Sequence, residues 1–525
     1  MENKRMFLVV ALCAGIFLLW QQLFVKPHVG APLQNVVSTA TNENVKGVAS
    51  NTTSTTPNST ISEEKVVTLG GAGMKVKIAT RGGVITQIES NRGETVRAVD
   101  LNSLIGGKKE LEILSPSQEW MYLASLPFKV QSSEKSGDDT RKIVLSYSDE
   151  KVAVTRTFVL NPDAHTVDND TTFQFRNTYP NYLFVNISAA RDVAKEYSEN
   201  ERREAVFVND DGLSTWALSD MSEVKEDLAG GYWAGISSRY FLKAILDNGS
   251  ATKPQFQARP TDSGEVAASL VYRLTGPSLN LPVRYYYGVK EIDSLKKVGN
   301  KLDLAVDFGW FTVIAYPMLQ ALKWLHTIFG NFGVAIILLT IAIKMILYPL
   351  TYKSMKGMKE MQRIQPQIKR LQEKYKDDRQ RMNQETLKLM QSNGYNPMSG
   401  CMPMLLQMPV FIALYNVLYG AFDLYRQPFF GWITDLAARD PYFVTPIVLT
   451  LLMFLQQKIT PTAAPMDPAQ QKMMQLMPLI FGAMMAFLPA GLTLYMLVNS
   501  VVSIAQQVVI LRILNAKEQT PVVVS

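Results

Sequence analysis

Lys344 stands inside an apolar run, NFGVAIILLTIAIKMILYPLT from Asn331 to Thr351, that is long enough to cross a bilayer as one helix. A lysine at mid-membrane costs about 2.5–3.5 kcal/mol on an insertion scale, so it needs a physical reason. The next cation, Lys353, is roughly 14 Å further along a helix, deeper than a lysine stem comfortably spans. Thr340 lies one turn before Lys344 on the same face, and Pro349 frees the Met345 carbonyl one turn after it. The last apolar segment repeats the oddity: Tyr495, Asn499, Ser503 and Gln507 recur at every fourth residue, with Gln506 beside them. Gln407, Tyr415 and Asn416 occupy another apolar segment, and Gln456, Gln457 and Lys458 end a third. Singly, such residues are interhelical glue worth about 0.6 kcal/mol each. Together with Lys344 they can line a wet cavity, whose chemistry is solvation of polar cargo. Their positions favour the cytoplasmic half of each helix, so the cavity is expected to open inward and stop partway.

Other chemistry is poorly supplied. Three histidines, His28, His165 and His326, lie far apart, so neither a zinc site nor a histidine-centred triad assembles readily. No metal, cofactor or nucleotide-binding loop is expected. The two cysteines, Cys13 and Cys401, fall in apolar stretches, so the soluble part is built without disulfides. Acid pairs such as Asp210 with Asp211, or Glu201 with Glu204, read as solvated turn residues. The net charge of +7 is concentrated in one loop, and no nucleic-acid module accompanies it.

The elements that must position Lys344 divide the 525 residues into two unlike halves. Residues 1–25 contain an apolar run, Met6 to Phe24, behind Lys4 and Arg5, expected to be a retained membrane anchor with a cytoplasmic N-terminus. Residues 26–64, rich in Ser, Thr and Asn, read as a flexible tether. Residues 65–300 carry short β-type runs (VVTLGG, MKVKIAT, VAVTRTFVL, VRYYYGVK) between turn residues, which predicts an exported all-β sandwich. Residues 301–330 include the aromatic, amphipathic stretch DFGWFTVIAYPMLQALKWLHTIFG, expected to lie in the membrane interface.

Residues 331–514 form the expected helical core. Within them, 352–396 read as a cytoplasmic helical hairpin carrying Lys356, Lys359, Arg363, Lys369, Arg370, Lys374, Lys376, Arg379 and Arg381. Its apolar seam runs through Met361, Ile364, Ile368 and Leu371, then Met382, Leu387, Leu389 and Met390. Four apolar segments follow, at Met402–Ala421, Phe443–Leu455, Met473–Leu488 and Gly491–Leu514. Loop charges then give six spans with both termini cytoplasmic, 515–525 being a cytoplasmic tail. The methionines crowded into these segments could form an adaptable apolar slide.

The segments KMILYPLTYKSMKGMKEMQRIQPQIKRLQEKYKDDRQRMNQETLKLMQ, YNPMSGCMPMLLQMPVFIALYNVLYG and FLPAGLTLYMLVNS resemble the YidC membrane protein insertase family, over roughly Gly330 to Leu514. The anchor, linker and β-domain match its Gram-negative arrangement. The resemblance implies a five-helix insertase core with a hydrophilic inner-leaflet groove and a periplasmic β-supersandwich similar to sugar-binding folds. It also implies insertion of nascent membrane proteins into the phospholipid bilayer of the inner membrane, with the Sec translocon and the ribosome as partners. Two positions depart from the family pattern. Lys344 stands where an arginine is common, so its role requires a water-filled groove. Met496 replaces the second of two adjacent tyrosines, which puts a substrate contact there in doubt. The alternatives to an insertase are a secondary transporter for a small anion, with Lys344 as counter-charge, and a membrane-anchored carbohydrate-active protein.

Overall fold

The computed structural model describes residues 65–70, 74–90, 109–136, 139–191, 203–375, 378–392, 402–460 and 468–519. The expected anchor (1–25), the linker (26–64), Lys376, Cys401, most of the tail and the side chain of Arg379 lie outside the described residues. The chain divides into two compact units, 1–305 and 306–525.

The first unit is built from antiparallel strands. A twelve-stranded sheet and a five-stranded sheet face one another, the small sheet packing on strands Glu204–Asn209, Gly231–Ser237 and Phe241–Asp247 of the large one. Alternation along Val152–Asn161 shows why: Val152, Val154, Phe158 and Leu160 turn into the core while Thr155, Val159 and Asn161 face out. The same period carries Arg156 inward. Its guanidinium donates to Gly82 O (2.9 Å), Leu111 O (3.0 Å) and Asn169 Oδ1 (3.1 Å), which satisfies most of a buried cation. Lys243, fully buried between the sheets, donates to Glu110 Oε1 at 2.7 Å and to the Ser188 carbonyl of the small sheet. Asp210, at the exposed hairpin turn before Gly212, accepts from Lys253 and Tyr232, which hold its carboxyl down at about 2. A short helix, α1 (Ile292–Val298), follows the last strand.

The second unit is helical: α2 (Thr312–Phe329), α3 (Phe332–Ile346), α4 (Tyr348–Lys374), α5 (Arg379–Ser392), α6 (Met402–Gly420), α7 (Val444–Ile459), α8 (Pro468–Met485) and α9 (Ala490–Gln519). In α2 one face, Ala315, Met318, Leu319 and Leu322, is buried toward α3 and α6, while Val313, Trp324 and Phe329 remain exposed, as does Trp310 in the turn before it. The exposed side is therefore itself apolar and aromatic.

The expectation of a single helix from Asn331 to Thr351 is corrected. Helices α3 and α4 meet at Leu347 with a 60° bend. Pro349 sits in the first turn of α4, where a missing N–H is harmless, but it cannot donate back to Met345, so the ladder breaks there. Lys344 thereby occupies the last turn of α3, and the first arm of the hairpin begins at Tyr348. Among the described residues, Ala490–Ala516 within α9 is long and apolar enough to cross a membrane unaided, and the bent pair makes a second candidate. Val444–Ile459 and Met473–Met485 are shorter apolar helices.

The N-terminal ends of α3, α7 and α9 are tied by one loop, residues 421–443. Asn331 caps α3 by accepting from Val334 N (3.1 Å), and its Nδ2 donates to the Pro428 and Phe429 carbonyls (3.4 Å each). Asp440 is buried and accepts from Trp432 Nε1, Tyr442 N, Thr445 N and Thr445 Oγ1 at 2.7–3.0 Å, which anchors the start of α7. Ala490 N and Gly491 N donate to Ala438 O and Leu436 O, joining α9 to the same loop. Gly333 lies against the Phe429 ring so closely that a Cβ would stand 2.0 Å from it.

Candidate functional site

At the other end of these helices the polar residues converge. Lys344 Nζ donates to Ser503 Oγ of α9 at 2.9 Å and to Gln407 Oε1 of α6 at 3.3 Å. Gln407 Nε2 in turn donates to the hydroxyl of Tyr495 at 2.6 Å, so one carboxamide joins the ammonium to a buried phenol. The break at Leu347 leaves the last carbonyls of α3 short of intrahelical donors. Gln506 Nε2 supplies one to Lys344 O at 2.9 Å. At the C-terminal end of α7, the capping residue Thr460 has its Oγ1 3.2 Å from Gln507 Oε1 and 2.8 Å from the Gln456 carbonyl.

These side chains, Tyr495 excepted, line a cavity of about 300 Å³. Its polar wall comprises Lys344, Thr351, Gln407, Gln456, Thr460, Asn499, Ser503, Gln506 and Gln507; its apolar wall is Leu347, Leu350, Met355 and Met358. Among the described residues no carboxylate lines it and none pairs with Lys344. The ammonium is solvated by neutral oxygens, an arrangement that keeps its field available to a polar or anionic group entering the cavity. No metal-binding cluster occurs among the described residues, and the groups that line the site are hydrogen-bonding side chains able to hold and solvate a polar guest.

Several residues grouped by sequence do not reach this cavity. Thr340 is buried and its hydroxyl donates to Ile336 O of its own helix at 2.6 Å. Asn416 donates to Phe308 O at 2.8 Å, fixing the segment before α2. Tyr415 stacks on Tyr419, with ring centroids 5.5 Å apart. Met496 is half-buried outside the lining. Thr460, Thr351, Met355 and Met358 belong to the lining but were not singled out in the sequence. Thr460 lies four residues after Gln456, a helical spacing that flags it in the sequence although it caps α7 rather than belonging to it.

The hairpin packs through Met361, Ile364 and Ile368 of α4 with Leu389 and Met390 of α5. Its base is held on α9 by Met355 and Met358 against Ile510 and Leu514. Lys356, Arg363, Lys369, Arg370, Lys374 and Arg381 are exposed and Lys359 is half-buried. At the tip, Lys374 and Arg381 stand over the Tyr375 ring at 5.3 and 5.6 Å. The hairpin is thus a basic surface around a thin apolar seam.

Residues 74–321 match the family described as "YidC periplasmic domain", and residues 324–518 match "60Kd inner membrane protein". The membrane protein insertase YidC of Maridesulfovibrio salexigens is 32% identical over 540 aligned residues, covering 98% of this chain and 99% of that protein. The chain belongs to the YidC membrane protein insertase family. The YidC of Geobacter sulfurreducens is 44% identical over 319 residues, a match that takes in 58% of this chain and spans 60% of that relative's length. Among solved structures, one titled "Active YidC insertase crystal structure with the first transmembrane domain resolved" aligns with 85% of this chain and 92% of its own, at 18% identity and a TM-score of 0.37. Membership makes this an inner-membrane protein with a β-rich periplasmic domain and a helical YidC core.

Proposed function

We propose that the chain is a non-enzymatic insertase that moves nascent transmembrane segments from the cytoplasm into the inner membrane. The observation that carries this is the Lys344 cavity: an ammonium within an apolar helix, held by Gln407 and Ser503, in a chamber with no acid among the described residues of its wall. The hairpin, with its exposed cations, receives the emerging segment and faces the ribosome. The polar flank of that segment then enters the cavity, where an otherwise mid-membrane charge would cost about 2.5–3.5 kcal/mol. The apolar part moves along the exposed methionines of α8, Met473, Met474, Met477 and Met484, and is driven into lipid by its own transfer energy, about 25 cal/mol per Å². Release of an acidic flank to the far side is helped by the membrane potential, about 2.3 kcal/mol per charge per 100 mV.

In this scheme the core and the N-terminal anchor make six spans, both termini are cytoplasmic, and the loop centred on Asp440 closes the periplasmic side. The chain works alone or beside the Sec translocon. Insertion of a single-span substrate into proteoliposomes tests the central point. Lys344→Ala should cripple insertion while Lys344→Arg preserves it. Equal loss in both variants, or none in either, removes the cation from the mechanism.

A further inference from the structure

Most carboxamides of the cavity are already engaged. Gln407 bridges Lys344 and Tyr495, Gln506 holds the Lys344 carbonyl, and Gln507 meets Thr460. Two are not. The side-chain amides of Gln456 on α7 and Asn499 on α9 line the same cavity with no hydrogen-bond partner among the described residues, and the Asn499 Oδ1 is buried. An unpaired buried acceptor is unfavourable until something donates to it.

The chemistry of a matching ligand follows from the inventory. A primary amide offers an acceptor and two donors, so each of them can accept one peptide N–H of an extended chain and donate to a peptide C=O. A carboxylate would use donors alone and leave both amide oxygens unpaired. A polar segment drawn into a membrane without secondary structure carries unsatisfied backbone groups at every residue, whatever its side chains. Resting on the insertase function proposed above, we propose that Gln456 and Asn499 form a peptide-amide site, holding the extended backbone of the polar flank independently of its side-chain charge. Lys344 then supplies field, and the two amides supply the hydrogen bonds common to all substrates.

The test uses pairs of synthetic single-span peptides, one pair with an acidic and one with an asparagine-bearing polar flank; within each pair one flank has ordinary peptide bonds and the other backbone N-methyl groups that abolish N–H donation. Insertion of each is measured into proteoliposomes containing the full chain, wild type or Gln456→Leu/Asn499→Leu. The ratio of the two rates within each pair is compared between proteins, which cancels the added hydrophobicity of the methyl groups. The double variant should lower the preference for the N–H flank by roughly eightfold, the factor for two average membrane hydrogen bonds. An acidic and an asparagine-bearing N–H flank should be affected alike. An unchanged ratio overturns the proposal, as does an effect confined to the acidic flank. Should the double variant fail to fold, Gln456→Leu alone must lower the ratio about threefold, one such bond; no change overturns the proposal equally. Wild-type protein that inserts none of the peptides faster than protein-free vesicles defeats the insertase function itself, and this site with it.

Discussion

Replacing Gln407 by leucine removes the one side chain that links the ammonium of Lys344 to the hydroxyl of Tyr495. Two hydrogen bonds are lost, at about 0.6 kcal/mol each on average and about 1.7 kcal/mol at most in a membrane protein. The Tyr495 hydroxyl, on a fully buried residue, is also left without its donor, and an orphaned buried hydroxyl costs about 1–3 kcal/mol. The variant should therefore lose about 2–4 kcal/mol of stability in the helical unit, combining these terms. Equilibrium unfolding in mixed micelles measures it. Tyr495→Phe in the leucine background removes the orphan, so the two changes should couple by about 1–2 kcal/mol instead of adding. Additivity within about 0.5 kcal/mol would mean that the bridge is not a unit and that Lys344 is positioned by Ser503 alone. Gln407→Glu completes the series. It retains an acceptor for Lys344 but neutralises the chamber, so insertion should fall while stability does not.

Three further outcomes follow from packing and charge. Lys243→Met strands the Glu110 carboxylate between the two sheets and should cost the β-domain about 3–5 kcal/mol, read as a fall in its unfolding midpoint; adding Glu110→Leu should restore much of the loss. At Gly482 a Cβ would stand 1.8 Å from Thr450 Oγ1, so Gly482→Leu must push α8 off α7 and should cost about 1–3 kcal/mol, with faster amide exchange in both helices as the readout. Burial opposes ionisation of Asp440, but its hydrogen bonds from Thr445, Tyr442 and Trp432 outweigh it and hold the carboxyl below the usual range. A depressed carboxyl pKa contributes stability that is present above the unfolded value, about 3.9, and lost as pH falls through the lower folded value. Protease protection of residues 430–445 should thus collapse only in acid, and Asp440→Asn should weaken it at neutral pH.

What the sequence determined by itself was whatever local periodicity can encode. Alternation marks the strands of the β-domain, even to the inward side of Val152, Val154 and Phe158, because a pleated backbone sends successive side chains to opposite faces. The four-residue recurrence of Asn499, Ser503 and Gln507 puts them on one face of α9, and all three line the cavity. The seam of Met361, Ile364 and Ile368 is likewise a property of one helix, and it is buried.

Tertiary structure decided which faces meet. Thr340 shares a helical face with Lys344 on paper, yet its hydroxyl is consumed by the Ile336 carbonyl one turn back, an option open to any helical threonine. Tyr415 and Asn416 lie in the same helix as Gln407 but turn elsewhere, because rotation of α6 is fixed by what packs on it. The 60° bend at Leu347 depends on how Pro349 is accommodated, and that bend brings Met355 and Met358 of the hairpin arm to the cavity wall. Periodicity is written in neighbours along the chain; the pairing of Lys344 with Gln407 and Ser503, 63 and 159 residues away, is set only when the helices pack.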